Sequence, residues 1–272
     1  MPSKPVILYS KVRSFLGLGK MLPVRHHLGR PNFGDDINPW FFGHMSGSPC
    51  AWSDSSHPHF LGIGSIAAKA TADSVIMGSG LIEPVVRGSL TSPAEIFAVR
   101  GELTAEAFGQ RASHLGDPLL FIDLVLPKVS SPKEDRVGIV PHESMVGICR
   151  KLLRGREDCV LIDPRCEPLA VVRSIASCAR IASQSLHGLI VADAYGIPNV
   201  WIAPSPGMVG ATFKFLDYFT TLARPKVPVS LMDFVADPDA FIFDSGRYRW
   251  DRHAYLSDFR RRAAEGIRPL VR

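Results

Sequence analysis

The chain has 272 residues, 46% hydrophobic and 21% charged, and a formal net charge of +5 from 31 basic and 26 acidic side chains. These are the proportions of a globular protein long enough to bury a core without disulfides or metals, and they exclude a disordered chain, a coiled coil or a collagen-like repeat. The mild positive field suits an anionic small molecule, an anionic membrane surface or a nucleic acid, and does not choose among them.

Short apolar runs, each ending in a Gly-, Ser- or Pro-containing turn, follow one another along the chain. The first is Val6 to Tyr9. Ser48 to Pro58 reads as a surface loop, and Ser74 to Met77 leads into Gly78-Ser79-Gly80. Ile96 to Val99 leads into Arg100-Gly101, and Pro127 to Arg136, with two prolines and five charges, reads as an interdomain linker. Val137 to Val140 then leads into Pro141-His142-Glu143, Val160 to Ile162 into Asp163-Pro164, Arg180 to Ala182 into Ser183-Gln184-Ser185, and Asn199 to Ile202 follows Pro198. After Trp250 the pattern is helical, with Tyr255, Phe259 and Ala263 four apart. Runs that are continuously apolar suggest strands covered on both faces, and their alternation with helical stretches predicts an α/β protein with parallel sheets.

Several chemistries are disfavoured. Cys50, Cys149, Cys159, Cys166 and Cys178 are odd in number and irregular in spacing, which indicates neither a disulfide framework nor a zinc site. His26, His27, His44, His57 and His59 read as dispersed loop histidines without a second ligand set, so no metal is expected. Gly62-Ile63-Gly64-Ser65-Ile66-Ala67 matches G-x-G-x-x-A but lacks an acidic partner, so a dinucleotide site is rejected. Gly17-Leu18-Gly19-Lys20 is not a Walker A sequence, and no G-x-S-x-G elbow occurs. No run reaches the ~18 apolar residues of a membrane helix, and Met1 to Lys11 lacks a signal-peptide pattern, so a cytoplasmic protein is expected. No aromatic-basic RNA signature is present, so no nucleic-acid partner is expected. The basic stretch Lys11 to Arg30 and the Arg260–Arg262 cluster read as solvated faces, with a peripheral contact to the inner membrane surface as the alternative.

Three clusters remain. In Ala179 to Ile202 an apolar run ends in small polar residues, and His187-Gly188 opens a helical pattern closed by Gly196 and Pro198. His187 thus belongs at a helix N-terminus beside a strand end, where the helix dipole favours an anion. The alternative is that Ser183 or Ser185 caps the helix and His187 only packs. Asn32-Phe33-Gly34-Asp35-Asp36-Ile37-Asn38 reads as a capping turn or as a sugar-binding turn of amides and carboxylates, the former favoured. The third group is Gly78-Ser79-Gly80, Arg100-Gly101 and Gly116-Asp117-Pro118, in which Arg100 is the side chain suited to a phosphate or carboxylate fork.

In this order, Asn32-Phe33-Gly34-Asp35, Gly62-Ile63-Gly64-Ser65, Gly78-Ser79-Gly80, Val99-Arg100-Gly101, Leu115-Gly116-Asp117-Pro118 and Ser183-Gln184-Ser185-Leu186-His187-Gly188 resemble the polysaccharide pyruvyl transferase family, most closely its bacterial exopolysaccharide branch. The resemblance implies two Rossmann-like domains facing a cleft in a GT-B-like arrangement: residues 1–127 on the acceptor side, joined by a C-terminal helix in 250–272, and 128–249 on the phosphoenolpyruvate side. It implies transfer from phosphoenolpyruvate to two hydroxyls of a hexose in an exopolysaccharide or its lipid-linked precursor, with no cofactor. His187, Asp117 and Glu143 are then the candidate catalytic groups, with Asp35 competing as general base. Substrate would be held by Asn32, Gly34, Asp35, Gly78, Ser79, Gly80, Arg100, His142, Ser183, Ser185 and Gly188. Many members carry Arg two residues before the His, where this sequence has Ser185. A GT-B glycosyltransferase using a nucleotide sugar and a non-catalytic glycan-binding relative are the competing readings.

Overall fold

The computed structural model describes residues 21–54, 56–127, 134–205 and 208–267. The expected strand at residues 6–9, the Gly17–Lys20 turn, the basic residues before 21 and residues 128–133 of the expected linker lie outside them. The described chain forms two compact units. Unit 1 takes the residues up to Arg30, Gly34–Pro118 and those from Asp251 onward, while unit 2 takes Pro31–Phe33 and Leu119–Trp250.

In unit 1, strands β1 (Leu22–Arg25), β2 (Cys50–Trp52), β3 (His59–Leu61), β4 (Ser74–Met77), β5 (Glu95–Val99) and β6 (His114–Leu115) form a parallel sheet of order β2-β1-β3-β4-β5-β6. Every residue of β3 and β4 is buried, as strands covered on both faces require. The surface loop expected at Ser48–Pro58 contains β2, whose three residues are only half-buried. It is an edge strand paired to β1, too short and mixed to carry an apolar signal. Helices α1 (Asn38–Ser46) and α2 (Glu102–Phe108) belong to this unit, and α1 stops at Gly47 in the left-handed conformation.

In unit 2, β7 (Glu134–Val140), β8 (Cys159–Leu161), β9 (Cys178–Ser183) and β10 (Asn199–Trp201) form a second parallel sheet, ordered β10-β9-β7-β8. Its helices of six or more residues are α3 (Val146–Leu152), α4 (Pro168–Ser177), α5 (Leu186–Ala194), α6 (Phe213–Phe219) and α7 (Leu231–Ala236). Helix α4 starts at Pro168, and the Glu167 carboxylate accepts from the Leu169 and Ala170 N–H groups at 3.0 and 2.7 Å. All nine residues of α5 are buried, which explains why its sequence is apolar on every face. The helix is followed by Gly196 at φ 62°, ahead of Pro198.

The last helix, α8 (Arg252–Glu265), returns to unit 1. Asp251 caps it, and the Phe259 ring meets Phe41 and Phe42 of α1 at 5.8 and 5.5 Å. Tyr255 Oη donates to the Gly116 carbonyl at 2.8 Å, tying the helix to the turn after β6. No helix among the described residues is long and apolar enough to cross a membrane.

Each sheet has a point where strand order reverses. In unit 1 it lies between β1 and β3, and in unit 2 between β7 and β9. In open α/β sheets the ligand crevice lies at such a point, between the loops that leave the carboxyl ends of the flanking strands.

The fold also carries a pH dependence away from these crevices. His59, read from sequence as a loop residue, begins β3 and is fully buried. Its Nδ1 meets the His57 carbonyl at 2.8 Å and its Nε2 meets Ser74 Oγ at 3.0 Å. Burial, opposed by the backbone hydrogen bond, holds its pKa below the ordinary histidine value. The unfolded chain therefore binds more protons just below the ordinary value of about 6.5, and stability falls as pH drops from there towards the folded value. Urea midpoints are expected to decrease between about pH 7.5 and 5.5. In His59→Gln the decrease should be shallower; an unchanged pH slope would mean that His59 does not contribute to it.

Candidate functional site

At the unit 1 crevice the structure brings together motifs that are separate in sequence. Asn38 opens α1 and is fully buried. Its Nδ2 donates to the Asp35 and Ile63 carbonyls at 2.8 and 3.0 Å, and its Oδ1 accepts from Ile63 N–H at 2.8 Å. The Asp35–Asn38 turn is thereby fastened to Gly62-Ile63-Gly64, the loop that leaves β3. A side chain at Gly62 would strike Asn38, and one at Gly64 would strike the Asp35 carboxylate, so both glycines permit close approach. Asp35 is half-buried. His26, just after β1, is held below the ordinary histidine pKa by burial, which outweighs its backbone hydrogen bond and the charge of Asp36.

The Gly78-Ser79-Gly80 turn leaves β4 beside this loop. Ser79 Oγ donates to the Gly64 carbonyl at 2.9 Å and accepts from Ile66 N–H at 3.2 Å, while Gly80 N–H also donates to Gly64 at 3.0 Å. Arg100 leaves β5 and is 1% exposed. Its Nη1 donates to Ser65 Oγ at 2.7 Å and its Nη2 to the Leu81 carbonyl. A Cβ on Gly80 would run into its guanidinium. Arg100 thus props the Gly62–Ser65 and Gly78–Leu81 loops from beneath, which is a structural task. Asp117, after β6, is fully buried, and the preceding Gly116 sits at φ 138°.

The unit 2 crevice gathers the remaining candidates. Ser183 Oγ donates to the Ser185 carbonyl at 2.7 Å and accepts from Ser185 N–H at 3.1 Å, so it closes the turn before α5. Ser185 occupies the N-cap position and makes no side-chain cap bond. His187 stands in the first turn of α5, 8% exposed, with the Phe33 ring edge-on to its imidazole at 6.2 Å. Phe33 N–H donates to the Pro164 carbonyl at 2.8 Å, so Asn32 and Phe33 belong with His187, whereas Gly34 and Asp35 belong to unit 1. A Cβ on Gly188 would strike Ser183 Oγ, so that glycine lets α5 start close against the strand end.

His142 and Glu143 follow β7. Gln184 joins three loops of this crevice: its Oε1 accepts from His142 N–H at 3.2 Å and its Nε2 donates to the Ala203 carbonyl, beyond β10, at 2.8 Å. His142 Nδ1 accepts from Ser144 N–H, which in the neutral ring leaves the proton on Nε2. Burial first, then the charge of Lys214, holds His142 below the ordinary histidine pKa, against the opposing charge of Glu143.

Lys214 and Gln184 are the residues that sequence reasoning missed here. Lys214 opens α6 with its Nζ 5.5 Å from the Phe215 ring centre, and Phe215 stacks on Trp201 of β10 at 5.0 Å. The available signal was a lone Lys a few residues beyond a Pro- and Gly-rich turn after a strand, which is weak alone. Among the described residues no group of three His, Cys, Asp or Glu side chains is placed to hold a metal ion.

A family model described as polysaccharide pyruvyl transferase matches residues 46–206. The succinoglycan biosynthesis protein ExoV of Rhizobium meliloti (strain 1021) is 31% identical over 212 residues, covering 73% of this chain and 65% of that protein. An uncharacterized protein of Acanthamoeba polyphaga mimivirus, L143, is 31% identical over 174 residues, 60% of each chain. The crystal structure of an uncharacterized Klebsiella pneumoniae protein aligns at 10% identity with a TM-score of 0.43, covering 80% of this chain and 94% of that one. The chain spans 60% and 65% of the lengths of the two curated relatives. With its strand-end glycine turns and its His187-led helix matched within that model, the chain belongs to the polysaccharide pyruvyl transferase family.

Proposed function

We propose that this protein transfers the pyruvyl group of phosphoenolpyruvate to two hydroxyls of one hexose, in an exopolysaccharide or its lipid-linked precursor, forming a pyruvate ketal. The reading is carried by the placement of His142 after β7 and His187 in the first turn after β9, the two strands that flank the reversal point of the unit 2 sheet, with the charge of Lys214 acting on His142. A donor with one carboxylate and one phosphate needs cations and N–H donors, and this crevice offers an ammonium, an imidazole Nε2–H and the first turn of a nine-residue helix. In this reading unit 2 takes the donor and unit 1 the acceptor, in the GT-B-like manner. Asn32, Ser183, Ser185 and Gly188 shape the donor side.

The chemistry proceeds by protonation of the donor's methylene carbon, which builds an oxocarbenium-like centre at C2. A sugar hydroxyl adds to C2 and gives up its proton, phosphate leaves with the C–O bond pair, and the second hydroxyl closes the ketal and gives up its own. His187 is the proton donor or phosphate partner, since an imidazole exchanges protons near neutral pH. On the acceptor side Asp35, half-buried beside Gly64, is the carboxylate best placed to meet a sugar hydroxyl. Arg100 holds the neighbouring loops through Ser65 and Leu81, and Asp117, the other candidate carboxylate of this unit, is fully buried. Glu143 stands beside His142 as the carboxylate of the donor side.

Calorimetric titration with phosphoenolpyruvate tests the donor assignment. Lys214→Ala should weaken binding about 10- to 100-fold, the worth of one hydrogen bond to a charged group. Equal affinity in wild type and variant would remove Lys214 from the site. Saturable binding of a nucleotide sugar with none of phosphoenolpyruvate would replace the reading with glycosyl transfer.

A further inference from the structure

Asp193 lies near the end of α5, six residues beyond His187, and its side chain is wholly buried. Its Oδ2 accepts from Tyr218 Oη at 2.8 Å, and its Oδ1 accepts from Asn199 Nδ2 and Gly246 N–H, each at 2.6 Å. Lys226 Nζ, which also donates to the Asp244 carbonyl at 2.8 Å, stands 3.4 Å from Oδ1. A Cβ on Gly246 would run into the carboxylate. A lone buried carboxylate is costly, and this one is offset by three donors and an ammonium. That is more organisation than packing an apolar helix end requires.

Tyr218 lies on α6, four residues after Lys214 and so on the same flank of that helix. The Asp193–Tyr218 bond therefore joins the helix that presents His187 to the helix that presents Lys214. We propose that Asp193, acting through Tyr218, is a positioning residue that fixes Lys214 relative to His187 for binding of the anionic donor. This rests on the donor-site reading above. Neither Asp193 nor Tyr218 touches the donor; their effect passes through the placement of Lys214.

Tyr218→Phe keeps the ring and removes one hydrogen bond. Titration calorimetry of the full chain with phosphoenolpyruvate should show a dissociation constant raised about fivefold, with the circular dichroism spectrum unchanged. In a Lys214→Ala background the same substitution should weaken binding no further, because the interaction it supports is already gone. Gly246→Ala, which displaces the same carboxylate from the other side, should reproduce the weakening and stands in should Tyr218→Phe fail to fold. An unchanged dissociation constant in both variants, or an equal weakening with and without Lys214, overturns the positioning role while leaving the donor site standing. A wild-type protein that binds no phosphoenolpyruvate overturns the donor-site reading itself.

Discussion

Replacing His187 with Gln is expected to lower pyruvyl transfer by about 10²- to 10⁴-fold, the range lost when a positioned proton-transfer group is removed. The imidazole stands in the first turn of a helix that is buried on all sides, at the strand-order reversal of the unit 2 sheet. It is held edge-on by Phe33 and is 8% exposed. Gln approximates its volume and its hydrogen-bonding capacity, but cannot exchange a proton near neutral pH. The far-ultraviolet spectrum should therefore stay close to wild type while phosphate release collapses. A variant turning over at near wild-type rate would remove His187 from the chemistry.

The second large effect concerns stability. Arg100→Ala should lower the unfolding free energy by about 3–5 kcal/mol, because it leaves one buried and one half-buried acceptor without their donor and opens a cavity. The acceptors are Ser65 Oγ and the Leu81 carbonyl, and the guanidinium also fills the space against which Gly80 is packed. Arg100→Lys should rescue only part of the loss, since one ammonium on a flexible stem does not reproduce a planar fork spanning two loops. Urea unfolding at pH 7.5 reads the difference directly. A variant with unchanged stability and a raised Michaelis constant for phosphoenolpyruvate would instead return Arg100 to the donor, the role its residue type alone suggested.

Strands β4, β5, β7, β9 and β10 were legible because buried parallel strands are apolar at nearly every position. The His187 helix was legible from the Gly and Pro that stop it. Strands β1, β2 and β3 were missed: β1 alternates buried and half-buried residues around Pro23, β2 is half-buried throughout, and β3 is three residues opening with His59. The motif residues of the site were visible as types, but burial decides their task, and spacing does not report burial. Arg100 reads as an anion fork until its guanidinium is placed under Gly80. Ser183 reads as a helix cap until its hydroxyl is seen to close the turn to Ser185, two residues on. Lys214 was missed for the opposite reason, since only the folding of α6 against Trp201 brings its charge to bear on His142.

Phosphate release from phosphoenolpyruvate measures pyruvyl transfer itself. The assay should use a lipid-linked exopolysaccharide precursor already shown to be pyruvylated by another member of the family, with His187→Gln alongside. Phosphate release is expected to depend on the acceptor, to be matched by ketal appearing on the sugar, and to be lost in the variant. With that acceptor, absence of release from the folded wild-type protein would contradict pyruvyl transfer.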